Sequence, residues 1–193
     1  FEIEGDPTGA DFDITMCFGD NVTYKNCSNT GDFRVSLHAG NKKYARLRIG
    51  GITMETNGQL MNCQNSGNFY LTTENPNVWM NVGGVVGFGK DVSLCKNEGK
   101  IQANGFTKAN RIGGVAAYIR NSISESFNTG AISSRSTGGT IGGLAGIVEG
   151  KTKDCYNTGK VIVSGKLKKQ ANYVGGLVGF QVTTIDDKLS LTS

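Results

Sequence analysis

Two short signatures alternate five times along this chain, and only a repetitive architecture accommodates them. The first, C-x-N-x-G, occupies residues 27–31, 63–67, 95–99 and 155–159, with a serine-led copy, S-F-N-T-G, at 126–130. Successive copies start 36, 32, 31 and 29 residues apart. The second is a Gly-Gly pair between apolar residues, at 49–52, 82–85, 112–115, 141–144 and 174–177. A period near 30 residues marks a stack of small units, none able to bury an apolar face alone.

Each unit reads as strands. After the last Gly of C-x-N-x-G come Asp32-Phe33, Asn68-Phe69, Lys100-Ile101, Ala131-Ile132 and Lys160-Val161, with the second residue apolar every time. This is a period of two, with one face buried. The same parity sets Cys and Asn of the signature on one side and turns Ser28, Gln64, Lys96, Phe127 and Tyr156 outward. A third strand, ahead of each Cys, carries Tyr24, Leu60, Val92, Ile123 and Thr152 in the matching place. Three short strands per roughly 30 residues predict an all-β fold, a parallel β-helix of about five coils. Its hand is expected to be right-handed, as parallel crossovers are. Composition agrees: 29 glycines in 193 residues disfavour helices, and two prolines exclude collagen. The repeats span 14–180 of a single domain, residues 1–13 are expected to cap the first coil, and 181–193 form an incomplete last coil or a second cap.

Stacking brings like residues into columns. Asn29, Asn65, Asn97, Asn128 and Asn157 are expected to form an internal amide ladder, as in cross-β stacks, rather than a metal or sugar site. Cys27, Cys63, Cys95 and Cys155 form a parallel column of free thiols. Adjacent Cβ atoms ~4.8 Å apart are too distant for a disulfide, which wants about 3.8 Å. Cys17 stands outside that column as an exposed thiol. No CxxC spacing suggests zinc or dithiol chemistry. The Gly-Gly pairs recur in every unit without a following helix, so they serve close backbone packing rather than phosphate binding, and no cofactor is implied.

Residues 143–146 (G-L-A-G) and 176–179 (G-L-V-G), with 84–87 (G-V-V-G) close behind, resemble the GLUG-motif repeat family; 51–54 and 114–117 lack the final Gly. The resemblance covers about 14–180. It implies an exported bacterial β-solenoid of the adhesin or cell-surface kind, without catalytic residues.

Variation concentrates in the arm between C-x-N-x-G and the next Gly-Gly. These arms (32–49, 68–82, 100–112, 131–141 and 160–174) hold 13 of the 20 Lys and Arg but only 2 of the 16 acids. The arm charge of +11 faces −7 elsewhere, although the net charge is only +4. Lys42, Lys43, Tyr44, Arg46, Trp79, Lys108, Arg111, Lys168, Lys169 and Tyr173 are therefore the candidate ligand-binding residues. Cations interleaved with aromatics suit anionic glycans or other polymers, and the expected partners are host or bacterial surface glycans or proteins. A solvated basic face that prevents edge pairing is the plainer reading of the same charges.

The mild net charge does not suggest nucleic acid, and no apolar run is long enough for a membrane span. Catalysis is the less favoured reading. His38 is the only histidine, and acids cluster only at Glu2, Glu4, Asp6, Asp11 and Asp13 and at Asp186-Asp187. No arm supplies the carboxylate pair of a glycosidase. The residues thus suit a non-catalytic binding module, and the resemblance implies an extracellular or cell-surface one. The alternatives are a carbohydrate-binding spacer of a larger secreted enzyme or, further off, a polysaccharide lyase or hydrolase.

Overall fold

The computed structural model describes residues 2–5, 11–17, 19–38, 45–75, 77–105, 110–135, 138–164 and 172–182. Among them every regular element is a strand and every pairing is parallel, forming a β-solenoid. Three sheets run along its length. The first stacks Glu2–Gly5, Phe33–Leu37, Phe69–Thr73, Ile101–Asn104, Ile132–Arg135 and Val161–Val163. The second and largest holds the strands on both sides of each Gly-Gly, including the unbroken Ala45–Met61. The third stacks five two-residue strands, from Ser28–Asn29 to Tyr156–Asn157. Its five rungs mark four complete turns.

Two N-terminal segments are described, and each adds a strand to a sheet of the first coil. Glu2–Gly5 pairs with residues 34–37, and Asp11–Cys17 pairs with Ala45–Met61. Both segments lack the two signatures, yet Asp11-Phe-Asp-Ile14 carries the same period-two alternation as its partner. Backbone pairing needs that alternation and not the signature residues.

The interior is divided into two apolar lobes. One lies between the first sheet and the strands before Gly-Gly, and is filled by Phe33, Leu47, Phe69, Met80, Ile101 and Ile112 among others. The other holds Tyr24, Leu60, Cys63, Val92, Cys95, Ile123 and Leu144. The Asn file runs between them. Each side-chain amide donates to the next Asn Oδ1: Asn29 to Asn65 at 2.6 Å, Asn65 to Asn97 and Asn97 to Asn128 at 2.7 Å, and Asn128 to Asn157 at 2.8 Å. The same Nδ2 also donates to the carbonyl two residues on, as from Asn97 to Gly99 at 2.8 Å. Buried polar groups are thus satisfied rung by rung.

The file also explains why the two signatures travel together. A Cβ on Gly84 would lie 2.2 Å from the Gly114 carbonyl oxygen and 2.3 Å from Asn97 Oδ1. A Cβ on Gly99 would lie 1.9 Å from the Gly67 carbonyl. The second Gly of Gly-Gly and the Asn of C-x-N-x-G are two sides of one contact that pinches each coil between its lobes.

Each coil turns from the second sheet into the third through a single left-handed residue, directly before the Cys position. These are Asn26, Asn62, Leu94, Glu125 and Asp154, with φ between 47° and 58°. Asn tolerates that conformation, while a bulky residue is strained there.

Candidate binding groove

At each Gly-Gly the second sheet folds inward, and the outer sides of the strands before and after the fold face each other. One wall is the register column Arg48, Asn81, Arg111, Thr140 and Tyr173. The opposite wall is Glu55, Phe88, Tyr118, Ile147 and Phe180. The result is a re-entrant groove parallel to the solenoid axis, with one residue of each wall per coil, spaced ~4.8 Å. Gly50 lies at its floor, where a Cβ would stand 1.9 Å from the Thr53 carbonyl oxygen and 2.9 Å from Gly87 N.

Its chemistry changes from coil to coil. In the first, Arg48 Nη1 meets Glu55 Oε2 at 3.2 Å, and Arg120 Nη2 approaches Glu55 Oε1 at 3.5 Å. Arg120 Nη1 also donates to Asn57 Oδ1 at 2.5 Å. Glu55 is therefore neutralised from two sides. In the third coil the Arg111 guanidinium carbon lies 5.1 Å from the Tyr118 ring centre and 5.8 Å from that of Phe88. These rings are themselves stacked, with centroids 4.9 Å apart. In the fifth coil Tyr173 and Phe180 meet across the groove at 5.1 Å with a 54° tilt.

Arg111 is the distinctive group. Among the described residues it has no carboxylate partner, while Arg48 and Arg120 share Glu55. Two aromatic faces hold it instead, an arrangement that orients a guanidinium without neutralising it. Around it is a cavity of about 310 Å³ lined by Arg46, Arg48, Glu55, Trp79, Asn81, Phe88 and Arg111. Tyr118 donates its hydroxyl to Glu149. Burial, this hydrogen bond and the Glu149 charge all raise the phenol above its usual range, so it stays neutral.

Of the candidate ligand residues, the fold brings Arg46, Trp79 and Arg111 to one cavity and sets Tyr173 two coils along the Arg111 column. Lys42, Lys43, Tyr44, Lys108, Lys168 and Lys169 lie outside the described residues. The opposite wall was not anticipated, because it belongs to the arm of constant length. A signal for it does exist: the fourth residue after Gly-Gly is Phe88, Tyr118 and Phe180 in three of the five units.

The thiols of the Cys column belong to the second lobe, and Cys17 is the register partner of Thr53. Cys63 and Cys95 are fully buried, Cys27 and Cys155 half-buried and Cys17 exposed, and all five are free. The Cys95 thiol is pushed far up by its hydrogen bond with Cys63 and by burial, and desolvation pushes Cys155 up to about 11. Ser126 replaces sulfur in the fourth rung, and its hydroxyl accepts from Cys95 N at 3.0 Å. No family model, curated protein or solved structure matches the chain.

Proposed function

We propose that this protein is an exported bacterial surface module that binds an anionic glycan in the re-entrant groove without chemically altering it. The observation that carries the reading is Arg111: a guanidinium held by two ring faces, without a carboxylate partner among the described residues, beside Trp79 and Arg46. Carboxylates and sulfates pair with such a fork in bidentate fashion, while sugar rings stack on aromatic faces. The basic bias of the arms draws acidic polymers toward the same side. The resemblance to GLUG-motif repeats supports export and an adhesive role. The non-catalytic part of the reading draws support from Glu55, the one carboxylate lining the cavity among the described residues, because two arginines already hold it. Glycoside cleavage needs a pair of carboxyl groups free to exchange protons or attack.

The test is calorimetric titration with a glucuronate-containing oligosaccharide at low and at high salt. Affinity is expected to fall as salt rises, and Arg111→Gln to weaken it roughly tenfold or more. Unchanged binding by Arg111→Gln would refute the reading.

A further inference from the structure

The wall chemistry is graded along the axis, and the gradient restricts the ligand further. At the first coil the groove supplies its own carboxylate, since Glu55 already occupies Arg48. At the third coil Arg111 is open to an anion. Beyond it, at the fourth and fifth coils, the described wall residues offer no cation: Thr140 and Ile147, then Tyr173 and Phe180, with the Glu149 carboxylate taken up by the Tyr118 hydroxyl. Tyr173 and Phe180 are 48% and 41% exposed, which leaves the ring pair available as a platform.

A uniformly acidic polymer laid along this groove would desolvate carboxylates against two rings that carry no counter-charge themselves and have none beside them among the described wall residues, an unfavourable placement. A neutral sugar there would bury its C–H face on the rings. We infer that the ligand is a mixed glycan, in which an acidic sugar on Arg111 is followed toward Tyr173 and Phe180 by neutral sugars, so that the chain lies in one direction only. The inference rests on the glycan reading above and narrows it to a substrate class.

Three probes of equal length separate the possibilities: an oligosaccharide alternating glucuronate with N-acetylglucosamine, an oligogalacturonate, and a neutral oligomer of N-acetylglucosamine. Each is titrated calorimetrically against the unaltered chain and against Arg111→Gln, Tyr173→Ala and Tyr173→Phe. Thermal melts confirm that each variant is folded. The alternating chain is expected to bind roughly tenfold tighter than either homopolymer. Tyr173→Ala is expected to abolish that preference while leaving the oligogalacturonate affinity in place, and Tyr173→Phe to keep it. Arg111→Gln is expected to weaken both acidic probes. Oligogalacturonate binding as tightly as the alternating chain, or a preference that survives Tyr173→Ala, would overturn the inference and leave the anionic-glycan reading standing. If none of the probes binds the unaltered chain, both fall.

Discussion

The inner asparagine file and the outer groove share one backbone, one register and one rung spacing, yet they use them in opposite ways. Inside, the same residue recurs five times, because an amide can both donate to and accept from an identical neighbour ~4.8 Å away. Outside, Arg48, Asn81, Arg111, Thr140 and Tyr173 occupy one column with five different side chains. Self-stacking forces identity, whereas a groove wall that contacts solvent or ligand leaves each rung free to differ. In a solenoid, a uniform column therefore reports on stacking, whereas a varied column in a concave place leaves room for the recognition proposed above.

The largest effect that would break this contrast is expected at the pinch between the lobes. Gly84→Ala drives a methyl into the Gly114 carbonyl and Asn97 and is expected to cost about 4 kcal/mol or to prevent folding. Gly176→Ala, at the matching motif position, meets nothing among the described residues within 4 Å and is expected to be nearly silent. Urea denaturation of the pair measures the difference. Next comes Asn97→Ala, which strands the Asn65 amide and the Asn128 oxygen and is expected to cost about 2–5 kcal/mol. Asn157→Ala breaks one Asn–Asn bond, from the Asn128 amide, its other partners being the Gly159 and Gly176 backbone groups at the more exposed end of the file, and should cost about half as much. Equal losses at the two positions would contradict a cooperative file.

On the outside the sign of the contrast reverses. Arg111→Gln is expected to reduce glycan affinity by about 1.4 kcal/mol while moving stability by less than about 0.5 kcal/mol. A smaller gain is expected at the corner. Leu94 is exposed and left-handed, with φ of 53°, where two other coils use Asn. In those coils Asn62 Nδ2 donates to Asn26 Oδ1 at 2.8 Å. Leu94→Asn relieves the strain and is expected to raise stability by about 0.5–1 kcal/mol.

The smallest effect is a pH dependence. Asp32 Oδ1 accepts from Asn68 N at 2.8 Å and from its side-chain amide at 3.0 Å, with Arg34 at 3.6 Å. The backbone hydrogen bond chiefly holds this carboxyl below its ordinary value. Its stabilisation is complete above the unfolded-state value and fades as pH falls through the depressed one. Asp32→Asn should remove that part of the acid sensitivity in melts recorded across the acidic range.

Much of the interior was legible in the sequence because stacking requires repetition, and repetition is visible in letters. C-x-N-x-G carried the amide file, and the alternation after it carried the Phe33, Phe69, Ile101 and Ile132 column. The groove was half legible. Arg46, Trp79 and Arg111 stood out as cations and rings in arms of variable length. Glu55, Phe88, Tyr118 and Phe180 did not, because Gly-Gly permits close packing but does not say whether the sheet folds inward or outward. Without the inward fold, nothing connects Arg111 with Tyr118 seven residues later. The N-terminal strands escaped for another reason, since their pairing uses backbone alternation and neither signature.

Nitrogen-15 NMR of the side chains tests the central claim most directly. During titration with the alternating glucuronate–N-acetylglucosamine chain, the Arg111 Nε–H and the Trp79 indole N–H signals should shift together and saturate at one affinity. The Asn97 side-chain amide, in the buried file, should stay where it is. Saturation of binding with both the Arg111 and Trp79 signals unmoved would show that the groove is not the recognition site.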